Sequence, residues 1–193
     1  MDYKEILGVA IILIGFIGQI PYFINVVKKK TRPNPLSWLT WSISTAVLLA
    51  VISFSGGGAA VWSMWSYLIF QILICIFAFK NGGKRDITRT DLASFGAAIA
   101  ALTMWLIWRD LAALAAALIT ITEVFGWFPT IRKAWIKPHE ETLILWAVDF
   151  FQCILLLLAL GQYNFATVVN YATWLVCYGI TVAVLVGRRK VLK

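Results

Sequence analysis

Gly18-Gln19-Ile20-Pro21-Tyr22-Phe23-Ile24-Asn25-Val26-Val27-Lys28-Lys29-Lys30-Thr31-Arg32-Pro33-Asn34-Pro35-Leu36-Ser37-Trp38 is the stretch that decides the fold. It sets a proline near the inner end of an apolar helix, follows it with a basic hinge, and opens a second apolar helix on Leu-Ser-Trp. The design returns at Phe125-Gly126-Trp127-Phe128-Pro129-Thr130-Ile131-Arg132-Lys133-Ala134-Trp135-Ile136-Lys137-Pro138-His139-Glu140-Glu141-Thr142-Leu143-Ile144-Leu145-Trp146. Pro21 aligns with Pro129 and Trp38 with Trp146 without a gap, at an offset of 108 positions. At that offset Asn34 meets Thr142. Each is placed to cap the helix that follows, with Pro35 suited to its first turn.

Outward from this stretch the chain is apolar. Of its residues 61% are hydrophobic and 13% charged, and the mean hydropathy is +0.84. Soluble domains carry roughly a quarter charged residues, so an all-α integral membrane protein is expected. Helices of about 20 apolar residues cross roughly 30 Å of hydrocarbon. Seven such runs occur, at 6–27, 36–55, 59–79, 91–108, 111–131, 142–160 and 165–187, with Trp108-Arg109-Asp110-Leu111 as the shortest divide. The first is preceded by Met-Asp-Tyr-Lys-Glu and followed by Lys28-Lys29-Lys30, which marks a retained span and not a signal peptide.

The net charge of +8 raises the question of a nucleic-acid partner, and the placement of the charges answers it. With the amino terminus outside, all but Lys4 and Arg109 of the 17 basic residues fall on the cytoplasmic side, in loops 1–2, 3–4 and 5–6 and in the carboxyl tail. The positive-inside rule accounts for the charge without nucleic acid. It also favours seven spans over six, because removing one would put later basic loops on the wrong side. Asn81-Gly82-Gly83-Lys84-Arg85-Asp86 reads as a linker. The expected architecture is therefore seven transmembrane helices in a 3+1+3 parallel repeat. Residues 1–80 form the first bundle, 81–110 the linker with helix 4, and 111–193 the second bundle. An odd linking helix gives both units the same orientation. Alanines of helices 4 and 5, among them Ala97, Ala98, Ala116 and Ala117, form a small-residue packing surface.

The stretch at 18–41 resembles the PQ-loop signature shared by the SWEET and SemiSWEET sugar transporters and the cystinosin-type transporters. Pro21, Asn25, Lys28 to Lys30, Leu36 and Ser37 match its elements, while Tyr22 stands in place of the glutamine; in the second copy Pro129 matches, with Thr130 and Lys133 at the glutamine and asparagine positions. The resemblance implies a transporter of a small polar solute, sugar or amino-acid-sized, working by alternating access. Pro21 and Pro129 would be its hinges, since a proline inside a helix removes a hydrogen bond and kinks it. Val169-Asn170-Tyr171-Ala172-Thr173-Trp174 resembles the SWEET third-helix segment and implies that Asn170 contacts substrate. The residue 108 positions earlier is Trp62. Trp174, four residues on, shares the face of Asn170 at about 6 Å. Trp38, Trp105, Trp108 and Trp146, near helix ends, suit the interfacial belt.

Glu123 and Asp149 are the two carboxylates expected near mid-membrane, where a charge costs about 2.5–3.5 kcal/mol and faces a bundle interior. They can carry a coupling proton, bind a cationic substrate, or serve as protonated hydrogen-bond partners. Ser66, Gln152, Gln71 and Thr45 could complete the pocket, with Trp62 and Trp174 as its aromatic wall. Cys75, Cys153 and Cys177 all lie in apolar runs and read as small buried hydrophobes. No lysine lies within a span, which excludes a retinal Schiff base. His139-Glu140-Glu141 lacks zinc-ligand spacing and reads as a solvated loop. No nucleophile with its base and no phosphate loop occurs, so no enzyme, metal or cofactor is expected.

Two other functions fit the same layout. A nicotinamide riboside transporter of the PnuC type shares it, and Trp62-x-x-Trp65 is reminiscent of that family's aromatic motif. A non-transporting receptor, like the KDEL-type sorting receptors, is the alternative from another class. The expected partners are a small-molecule solute and the lipid bilayer, and a homo-oligomer is compatible with the chain. The compact sequence without targeting segments fits a prokaryotic inner membrane.

Overall fold

The computed structural model describes residues 2–54, 56–107 and 112–192, and among these the fold is helical throughout, without strands. Seven long helices follow one another: α1 Tyr3–Val27, α2 Pro35–Phe54, α3 Ala60–Lys80, α4 Arg89–Ile107, α5 Ala112–Ile136, α6 Leu143–Ala159 and α7 Phe165–Val191. They follow the seven apolar runs closely. The main departure is α5, which continues five residues past its apolar run and carries Arg132 and Lys133 on its last turns. Among the described helices α1, α2, α3 and α7 are long and apolar enough to cross a membrane, and α6 is apolar but shorter. The expected divide at Trp108-Arg109-Asp110-Leu111 lies outside the described residues, as do the side chain of Trp105 and hence both of these belt positions.

Local chemistry sets the helix ends. Asp2 and Glu5 form a capping box on α1, and Asn164 with Thr167 forms one on α7. Asn34 caps α2 as expected, accepting from the Leu36 amide at 3.0 Å. Thr142 occupies the cap position of α6 but makes no cap bond. Its hydroxyl is instead turned to Thr31, with Asn25 Nδ2 at 3.4 Å. At the end of α1, Lys29 adopts a left-handed φ of 59°, and the amides of Lys30 and Thr31 then return to the Asn25 carbonyl.

Six helices close a ring. α1 packs on α3, α3 on α2, α2 on α5, α5 on α7, α7 on α6, and α6 back on α1, while α4 lies outside against α5 and more lightly against α2. Ala98 and Ala116 are fully buried, and the Ala98 carbonyl accepts from Thr122 Oγ1 across the α4–α5 contact. The ring is polar inside and apolar outside. Gln19, Ser44, Thr45, Ser63, Glu123, Asp149, Gln152 and Asn170 are buried, whereas Leu13, Ile17, Ile69, Phe151 and Val176 are more than half exposed. The three cysteines are buried and free.

Candidate functional site

At the centre of the ring is a cavity of about 30 Å³ lined by Trp38, Trp41, Tyr67, Gln71, Trp127, Trp146, Asp149, Trp174 and Tyr178. That volume holds a water and no solute. Helix periodicity builds the lining: Trp38 and Trp41 stand three apart on α2, Trp146 and Asp149 three apart on α6, and Trp174 and Tyr178 four apart on α7, so each pair shares a helix face. The rings interlock, with centroids 4.9 Å apart for Trp41 and Trp127, 5.3 Å for Trp127 and Trp146, and 5.0 Å for Trp127 and Tyr178. Tilted and edge-on contacts of this kind contribute about 0.5–1.5 kcal/mol each beyond burial. Trp38 and Trp146 are thus core residues, 6% and 2% exposed, and not the interfacial belt their positions near helix ends suggest. Nearness to a helix end says nothing about which way a face points.

The two expected carboxylates have different surroundings. Glu123, on α5, is buried behind the rings. It accepts from Ser44 Oγ at 2.9 Å, Asn170 Nδ2 at 2.7 Å and the Trp174 indole N–H. Trp41 Nε1 donates to its backbone carbonyl at 3.3 Å. Three donors aimed at two carboxylate oxygens suit an acceptor-only group. Asp149, on α6, lines the cavity itself. Tyr67 Oη lies 2.8 Å from Asp149 Oδ1 and 2.6 Å from Gln152 Oε1, and Gln152 Nε2 donates to the Ile11 carbonyl at 2.5 Å. One phenolic proton cannot serve both oxygens. A proton on Asp149 resolves the conflict, because Asp149 then donates to Tyr67 and Tyr67 to Gln152.

Of the site residues expected from sequence, Asp149 and Trp174 line the cavity. Asn170 and Gln152 stand behind it, where each orients a neighbour. Trp62 is 41% exposed and lines a separate open cleft of about 670 Å³ near Lys4 and Glu5. Ser66 donates to the Ser63 carbonyl at 2.7 Å and stands apart from the cavity. Pro21 and Pro129 lie inside α1 and α5, which continue on both sides of them.

Contacts bridge both ends of the ring. At the basic end the Arg32 amide donates to the Glu140 carbonyl at 3.0 Å, Lys133 reaches the Arg32 carbonyl and pairs with Asp86 at 3.1 Å, and Arg132 grips Asp91 with two bonds. Although burial alone would raise it, hydrogen bonds from Lys133 and Lys137 hold Asp86 below its ordinary value. Glu141, expected in a solvated loop, is 4% exposed. It accepts from Tyr22 Oη at 3.0 Å, and burial pushes its carboxyl up to about 7 against the partial relief of Lys133, Tyr22 and the Trp146 indole. Nothing local in the sequence announces this burial, since Tyr22 lies 119 positions away. At the opposite end the Gln162 amide donates to the Gly56 carbonyl at 3.0 Å, and Lys4 Nζ to the Leu160 carbonyl at 2.6 Å. No family model, curated protein or solved structure matches the chain, which leaves the cavity's own chemistry as the ground for a functional assignment.

Proposed function

We propose that the chain is a small carrier of the PQ-loop/SWEET type that moves a small polar solute across a membrane by alternating access, with a proton carried on Asp149. In this proposal α1 to α3 and α5 to α7 are duplicated units joined by α4, all seven helices span, and the basic ends face the cytoplasm of a prokaryotic cell. The burial pattern supports the duplication. Gly8, Ile11, Gly15, Gly18, Gln19, Tyr22 and Val26 are buried on α1, and so are Ala116, Ile119, Glu123, Gly126, Trp127, Thr130 and Ala134 of α5, each 108 positions on. In the third helices the matching offset is 107: Ala60, Ser63, Met64, Tyr67 and Gln71 pair with Thr167, Asn170, Tyr171, Trp174 and Tyr178. Ser63 and not Trp62 is then the partner of Asn170, and Tyr67 the partner of Trp174.

The observation that carries the proposal is the small aromatic cavity with Asp149 in its wall, at the junction of the two units, with contacts bridging both ends of the ring. A carrier needs such an occluded state between its two open ones. The outward apolar faces of α1, α3, α6 and α7 support a lipid surround. Pro21 and Pro129 leave the carbonyls of Ile17 and Phe125 without an intrahelical donor, which suits bending of α1 and α5 about these points. The test is flux of a panel of sugars, amino acids, nucleosides and betaines into proteoliposomes, with and without an imposed pH gradient. Solute entry that responds to the gradient and is abolished by Asp149→Asn is the expected result. Binding without entry would instead favour a receptor.

A further inference from the structure

At the basic end, the loop after α1, the end of α3 and the linker before α4 enclose a second cavity of about 350 Å³. Lys29, Arg32, Asn81, Gly82, Arg85 and Asp86 are among its lining residues. Two turns build it. Lys29 is left-handed and reverses the chain after α1, and Gly82, with a φ of 86°, does the same after α3, a conformation that glycine adopts without strain. Asn81 Nδ2 donates to the Val26 carbonyl at 2.5 Å and ties the two helix ends together. Gly83 is buried, and a side chain on it would meet the Ala78 carbonyl at 2.7 Å, so the linker lies tight against α3.

The charges around this cavity do not balance. Elsewhere at the same end basic side chains are taken: Arg132 holds Asp91, Lys133 and Lys137 hold Asp86, and Arg188 and Arg189 donate to backbone carbonyls. The side chains of Lys29, Arg32 and Arg85 have no acceptor among the described residues. Arg32 is the clearest case. Its amide donates to the Glu140 carbonyl and its own carbonyl accepts from Lys133, while the guanidinium has no part in these contacts. Asp86 is the carboxylate among the lining residues, and each of its oxygens already faces a lysine at 3.1 Å. The positive-inside rule asks for basic residues anywhere in this loop and linker. It does not ask for three of them around one concavity.

A guanidinium fork matches a phosphate oxygen pair, and basic pockets beside membrane helices take phosphate head groups. Ile24 and Val27 on α1 and Ile72 and Ile76 on α3 are exposed and stand within about two helical turns of the cavity. Acyl chains can lie on that surface, whereas a free phosphate ester gains nothing from it. We propose that this cavity binds the phosphate of an anionic lipid through Arg32, Arg85 and Lys29, with the acyl chains along the outer faces of α1 and α3. The phosphate site stands on the cavity itself; its supply from a bilayer rests on the membrane-spanning reading given above.

Native mass spectrometry of the detergent-purified full chain counts bound lipid, with phosphatidylglycerol, phosphatidylcholine and glycerol 1-phosphate as probes. Phosphatidylglycerol is expected to bind saturably. Phosphatidylcholine, whose ammonium offsets its phosphate, should bind at least about tenfold more weakly, and so should glycerol 1-phosphate, which buries no acyl chain. Arg32→Gln with Arg85→Gln should weaken phosphatidylglycerol at least about tenfold. Lys28→Gln with Lys30→Gln removes the same charge from exposed positions outside the cavity lining and should change binding by less than about threefold. Lys29→Gln is the second variant if the arginine pair does not fold. Equal losses in the two double variants, or phosphatidylcholine binding as tightly as phosphatidylglycerol, would overturn the site; glycerol 1-phosphate binding as tightly would overturn the lipid as its source. Reconstitution into phosphatidylcholine vesicles separates this proposal from the reading on which it rests. A chain that enters the vesicles but shows no preference for phosphatidylglycerol overturns the lipid site alone, and one that stays outside them while binding glycerol 1-phosphate overturns the membrane-spanning reading and with it the lipid source.

Discussion

Glu141 binds its proton more tightly in the fold than in the unfolded chain. Its carboxyl is raised from 4.5 to about 7 in the fold, so the folded state binds more protons than the unfolded one between those values. Stability then falls as pH rises through that window. Glu141→Gln keeps an acceptor for Tyr22 and removes the titration. The variant should be more stable than the parent at pH 8, by up to roughly 3 kcal/mol, and converge with it near pH 4.5; a pH series of thermal unfolding checks this. Glu123 and Asp149 should part in the same assays. Glu123→Gln replaces an acceptor held by three donors and should lower thermal stability without altering the response of flux to a pH gradient, whereas Asp149→Asn should remove that response. The sequence makes both carboxylates conspicuous by their depth in apolar runs. It does not show which one borders the cavity, because that depends on Ser44, Asn170 and Trp174 arriving from two other helices.

At the scale of elements, the hydropathy runs locate all seven helices because apolar length is a local property. What they miss is set by contact between elements. α5 outruns its apolar segment because Arg132 finds Asp91 at the start of α4 and Lys133 finds Asp86 in the linker. The inward turn of Trp38 and Trp146 comes from the crossing of α2 and α6 with their neighbours, and in the proposed duplication a one-residue difference in the loops before α3 and α7 moves the register from Trp62 to Ser63. Close crossings also explain particular glycines. A side chain on Gly18 would meet the Leu145 Cα at 3.3 Å and the Val148 Cβ at 3.2 Å, so Gly18→Val should force α1 off α6 and cost about 1–3 kcal/mol, read as a lower melting temperature. Pro21→Ala returns a donor to the Ile17 carbonyl and should stabilise α1 by up to about 3 kcal/mol. Slower flux in a more stable Pro21→Ala protein is the expected signature of a hinge.

For the whole molecule, the proposed orientation can be read by labelling. Lys30 and Tyr163 are both exposed, at opposite ends of the ring, and the native cysteines are buried. Lys30→Cys should react with an impermeant maleimide only after permeabilisation, and Tyr163→Cys in intact cells. The two bridged ends differ in strength. At the basic end, ion pairs, a buried carboxyl and side chains from α1, α4, α5 and the linker share the closure. At the opposite end one short loop rests on another, so closely that a side chain on Gly161 would meet the Gly56 carbonyl at 2.6 Å, and two backbone bonds with one lysine complete the contact. In the proposed carrier, two doors of unequal weight set the order of opening. There the lighter end is expected to open before the heavier one, which then yields only once something has been loaded behind it.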